Sequence, residues 1–78
     1  MGTTKQRKNH IEWIERILKQ AFTGKPDEFI YKDVFLANFA YKNYTTERTG
    51  LAILKMLEKL GYIKIYGNEI LQGEKWIK

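Results

Sequence analysis

Arg48, Ala52, Lys55 and Lys59 stand at i, i+4, i+7 and i+11. Successive helical residues turn by about 100°, so this spacing places three cations on one side of an α-helix. Such a ridge can do electrostatic chemistry: it attracts phosphates, and its long side chains can reach base edges. Covalent chemistry has few starting points. The chain contains no serine, no cysteine and one histidine, His10, which removes the commonest nucleophile–base pairings. In "HIEWIE", His10, Glu12 and Glu15 fall at i, i+2 and i+5, which does not bring all three onto one helical face. Capping and solvation explain them better than a metal ion. "TGKP" at 23–26 lacks the glycine-rich loop and the hydroxyl after lysine that a phosphate-binding P-loop needs. It reads as a helix stop. The expectation is a protein that is not an enzyme and uses no cofactor, no metal and no evident small-molecule ligand.

The charge balance points the same way. At 78 residues the chain makes one domain, with a net charge of +5 and a sequence pI near 9.5. A basic small domain favours polyanionic partners, nucleic acid before an anionic membrane surface. The 44% hydrophobic and 14% aromatic content suits a compact fold rather than disorder. No apolar run approaches the roughly 18 residues that cross a bilayer, and the opening "MGTTKQRKNH" does not have a signal-peptide layout. A soluble protein, cytoplasmic or nucleoid-associated, is therefore expected.

These residues need elements to hold them. Residues 1–8, with Lys5, Arg7 and Lys8, read as a flexible basic arm, followed by a domain over 9–78. Asn9 is a candidate N-cap with Glu12 in the capping-box place. Ile11, Ile14, Ile17, Leu18, Ala21 and Phe22 then make an apolar helical stripe that Gly24 and Pro26 end. "EFIY" (28–31) suits a brief strand. "KDVFLANFAY" suits a second helix, with Asp33 near its positive end. Thr45 or Thr46 would cap a third helix over roughly 46–60, whose core side is Gly50, Ile53, Leu54, Leu57 and Leu60. Gly61 is the natural residue for positive φ at its end. "YIKIY" (62–66) alternates as a strand does. Its partner is "EKWIK" (74–78) if 67–73 is a loop, the slightly preferred reading, or else Gly67-Asn68 makes a tight turn. Trp13 and Trp76 are expected at the core or its rim. Tyr31, Tyr41, Tyr44, Tyr62 and Tyr66 could make an aromatic-rich surface that stacks on single-stranded bases, but buried packing with capped hydroxyls is the expected arrangement.

The order of elements resembles the winged helix-turn-helix DNA-binding family: α+β, three helices, a short strand after the first, and a C-terminal β-hairpin wing. The residues that carry the likeness are "LKMLEKLGYIKI", with Leu54, Leu57, Gly61 and Ile63 in the family's apolar and glycine places, and Tyr44-Thr45 before the third helix. The resemblance covers about residues 9–78. It implies a double-stranded DNA binder acting as a small transcription regulator and homodimer, with helix 46–60 in the major groove and 62–77 as the wing. Arg48, Thr49, Ala52 and Lys55 would face the groove, with Lys59 nearer the phosphates. Thr45 and Thr46 would bind phosphate at the helix start. Lys42 would touch the backbone from the turn, and Lys64, Tyr66 and Asn68 would lie on or near the wing.

Leu51 occupies a place where many members of that family carry a polar reader. Leu51, Met56 and Trp13 are therefore candidates for a protein interface, as in winged-helix adaptor modules. Non-specific genome packaging is a third option. The usage of Ile, Lys and Tyr with no Ser is similar to that of small archaeal and viral winged-helix proteins.

Overall fold

The computed structural model describes residues 3–23 and 28–76, and the side chains of 8–23 and 28–76. The chain is α+β, with three helices and a three-stranded antiparallel sheet. In order they are α1 (Thr3–Phe22), β1 (Phe29–Tyr31), α2 (Lys32–Asn43), α3 (Glu47–Lys59), β2 (Ile63–Tyr66) and β3 (Glu69–Gln72).

Helix α1 begins at Thr3, not after Asn9. Neither glycine nor proline occurs between Thr3 and Phe22, and Lys, Gln and Arg are good helix formers. Nothing local stops the helix from extending back through the segment read as an arm, so Asn9 is an interior residue rather than a cap. The expected stripe is otherwise inward: Ile14, Leu18 and Phe22 are buried, with Ile11 and Ile17 packed at the rim. The stop expected at Gly24 and Pro26 lies outside the described residues.

Helix α3 shows how a local sequence fixes both ends of an element. The Thr46 Oγ1 accepts the backbone N–H of Thr49, the N-cap bond. At the other end Gly61 has φ +88°. The Tyr62 N–H reaches the Leu57 carbonyl at 3.0 Å and the Gly61 N–H reaches Glu58 at 3.0 Å, which is the Schellman pattern. Gly50, Ile53, Leu54 and Leu57 are buried. Leu60, expected in the core, is 49% exposed, because the chain has already begun to turn there. At Gly50 a Cβ would lie 2.7 Å from the Phe39 ring and 2.9 Å from Leu36, so α3 and α2 touch closely at this point.

The sheet has the order β1-β3-β2. Ile30, Ile70 and Ile65 lie side by side on its inner face, and Phe29, Leu71 and Lys64 on the next row face outward. Tyr31, Glu69 and Tyr66 continue that outer face. Tyr66 pairs with Glu69, so the hairpin closes in two residues, Gly67-Asn68, with positive φ at Gly67 alone, as a type II′ turn has. This corrects the preferred 67–73 loop and the hairpin over 62–77. β1 pairs with "EILQ" and draws it into the sheet. Gly73 then passes so close to the backbone of Gly61 and Tyr62 that a Cβ would sit 2.4 Å from the Gly61 oxygen. Trp76 is therefore not in a strand. Its ring meets Phe22 edge-on at 5.2 Å. Ile77 lies outside the described residues.

Candidate nucleic-acid interface

The side of α3 opposite its buried face carries Arg48, Ala52, Lys55 and Lys59, all exposed. Thr49, Leu51 and Met56 flank this row, partly buried. The packing behind it holds the row outward: rotating α3 to hide the cations would pull Ile53, Leu54 and Leu57 out of the core. Glu58, the acid nearest the row's end, accepts the Ile65 N–H with Oε2 at 3.1 Å. It ties edge strand β2 to α3.

Three hydroxyls gather at the start of α3. Thr45 Oγ1 donates to Thr49 Oγ1 at 3.3 Å, and Thr46 Oγ1 lies 3.2 Å from the same atom. The first-turn N–H groups of a helix lack intrahelical acceptors, so this end combines free donors with the positive end of the dipole. Lys42, exposed, stands in the last turn of α2 just before.

The hairpin residues are placed differently from the expectation. Lys64 and Tyr66 project from the outer face of the sheet, the face that also carries Phe29 and Tyr31, with Leu71 and Glu69 of β3 between them. Asn68 is bound to the start of α2. Its carbonyl accepts the Lys32 N–H at 2.7 Å, its Oδ1 accepts the Asp33 N–H at 3.0 Å, and its Nδ2 donates to Asp33 Oδ1 at 3.0 Å. Helix α2 has no side-chain cap of its own on Tyr31, so the hairpin turn caps it. The Asp33 carboxyl is held below the usual carboxylate range, first by Asn68 and then by the Val34 N–H. The structure thus puts Arg48, Ala52, Lys55 and Lys59 on the exposed side of α3 with Thr49 at their flank, gathers Thr45, Thr46 and Thr49 at the start of that helix, and sets Lys42 beside Thr45 on the turn before it. It leaves Lys64 and Tyr66 on the sheet and engages Asn68 internally.

Of the candidate protein-contact residues, Trp13 packs against Phe35 and Phe39 at 5.8 Å each, and Leu51 leans on the core. The tyrosines depart most from expectation: Tyr31, Tyr41, Tyr44 and Tyr66 are all exposed, and only Tyr62 is half-buried. They end on strands and helix termini whose inner places are already taken by Ile and Phe.

Tyr44 is a residue that the sequence placed wrongly. It is 97% exposed, not apolar packing before α3, and has φ 52° and ψ 46°. It is the single non-glycine residue with positive φ among those described. An aromatic side chain is a poor occupant of that conformation, so no local signal could have indicated it.

No family model, no curated protein and no solved structure matches this chain. Among the described residues, no helix is long and apolar enough to cross a membrane.

Proposed function

We propose that this protein binds double-stranded DNA as a winged helix-turn-helix domain, acting as a small transcription regulator and homodimer. One observation carries the reading: Arg48, Lys55 and Lys59 are exposed along a helix whose opposite side is locked into the core. The three helices and the β1-β3-β2 sheet are compatible with that family's architecture. In this reading α3 lies in the major groove and Arg48, Thr49, Ala52 and Lys55 meet base edges. Lys59, Lys42 and the threonines at the start of α3 contact phosphates. The hairpin is a buttress for α2 more than a groove-reaching wing, because its two-residue turn is bonded to Lys32 and Asp33.

The test is in vitro selection of bound duplexes, followed by affinity measurement across a salt series. The logarithm of affinity should fall linearly with the logarithm of salt, by about 0.9 per phosphate neutralised. Arg48→Ala and Lys55→Ala should each cost about 1–3 kcal/mol of binding, whereas Glu12→Ala, on α1, should leave it unchanged. Binding indifferent to the first two substitutions would remove α3 as the reading element. Equal affinity for random and selected duplexes would favour packaging, and a two-fold symmetric selected site would support the dimer.

One observation favours a second reading, a protein-interaction module. The outer sheet face exposes Phe29, Tyr31 and Tyr66 together. A stable protein partner, with no duplex binding even at low salt, would support it.

A further inference from the structure

We propose that the cleft between α1 and the α2–α3 turn seats a phosphate group, making α1 a second anchor on the nucleic-acid backbone. This rests on the DNA-binding reading above. The cleft has a volume of about 340 Å³ and is lined, among the described residues, by Asn9, His10, Lys42, Asn43, Tyr44 and Thr45. All six are polar, none is a carboxylate, and one carries a fixed positive charge. Such a lining suits an anion and offers no counter-charge to a cation.

The geometry orders this lining. The His10 ring is braced edge-on by Phe39, with centroids 5.3 Å apart and an interplanar angle of 78°. Asn43 Nδ2 donates to the Phe39 carbonyl at 2.9 Å, and Thr45 Oγ1 donates to Thr49. Asn9, His10, Lys42 and Tyr44 are the other lining residues that carry donor groups. Thr45 links the cleft directly to the first turn of α3, so a phosphate held here would lie beside the reading helix.

Two further observations favour this place. Tyr44 keeps a left-handed backbone while its ring, 97% exposed, gains nothing from packing. Strained residues retained without a packing return cluster at binding sites. The hairpin turn, bonded to the start of α2, is not free to swing onto a backbone. A single helix in a groove needs a second backbone contact to fix its register, and this cleft provides one on the other side of α3's start.

The experiment uses the full chain. Amide and imidazole resonances are followed while inorganic phosphate, chloride at equal ionic strength, or a random-sequence duplex is added. Salt-dependent duplex affinity is measured for Lys42→Gln, Asn9→Ala and Tyr44→Asn, with Glu12→Ala as control. The side-chain signals of Asn9, Asn43 and His10 should move with duplex but not with chloride. The salt slope of Lys42→Gln should fall by about 1. Asn9→Ala and Tyr44→Asn should weaken selected and random duplexes by the same factor. Duplex binding that depends on Arg48 and Lys55 but leaves these signals and slopes untouched would overturn the anchor while sparing the reading of α3. If no duplex binds, movement with inorganic phosphate alone would make the cleft a free-phosphate site and overturn its role on DNA. Movement with neither would overturn the site.

Discussion

Asp33 is the residue through which the start of α2 and the hairpin turn hold each other. Its carboxylate accepts the Val34 N–H and the Asn68 side-chain amide, and Asn68 in turn caps α2. Because these bonds favour the charged form, the carboxyl is held below its ordinary range in the folded chain. The resulting stability is fully present above the unfolded value, near pH 4, and is lost as pH falls through the folded one. Thermal melts between pH 6 and pH 2.5 should show a midpoint that drops in acid. In Asp33→Asn the acid-dependent part of that drop should shrink, and Asn68→Ala should lower the midpoint at pH 6 and flatten its pH dependence. A wild-type profile unchanged by either substitution would deny the lock. From the sequence, Asp33 was expected near the positive end of α2, and that part was readable. Its partner lies 35 residues away, and no local pattern indicates such a pairing.

At the scale of elements, the contact that aims α3 is Gly50 against Phe39 and Leu36. Alanine there gains about 1 kcal/mol of helix propensity but pushes a methyl into a ring 2.7 Å away. Overpacking of this kind costs about 1–3 kcal/mol. Gly50→Ala should therefore destabilise by about 1 kcal/mol net, lowering Tm by about 4–8 °C, as measured by calorimetry; an unchanged or raised Tm would mean that α2 and α3 adjust freely. The limits of α3 were readable to within a residue, Thr45 or Thr46 at its start and Gly61 at its end, because such caps act on backbone groups within a few residues, and the structure selects Thr46. The start of α1 was not, because Asn9 and Glu12 fit a helix interior as well as a capping box. The third strand was not readable either: "EILQ" is too short to declare itself, and only its place between β1 and β2 makes it a strand.

The whole molecule spans 38 × 21 × 20 Å and depends on one core. Phe39 sits at its centre, fully buried, touched by His10 and Trp13 from α1 and set against Gly50 of α3. Phe39→Ala should cost about 3–5 kcal/mol. A core of this size supplies little more than that in total. The variant should therefore lose its dispersed amide spectrum at 37 °C, whereas Tyr41→Ala, on the surface, should stay within about 0.5 kcal/mol of wild type. A folded Phe39→Ala protein would show that the sheet and helices are stabilised separately.

The sequence by itself determined the presence of three helices, the glycine end of α3, the inward places of Gly50, Ile53, Leu54 and Leu57, and hence the outward row of Arg48, Lys55 and Lys59. Each of these follows from residues within about four positions of one another, where backbone geometry is nearly fixed. Tertiary structure alone decided the strand order, the choice of Gly67-Asn68 as the turn, the capping of α2 by Asn68, and the exposure of Tyr44. These depend on which distant backbone groups meet when the core closes, and every buried donor must then find its acceptor wherever the fold places one.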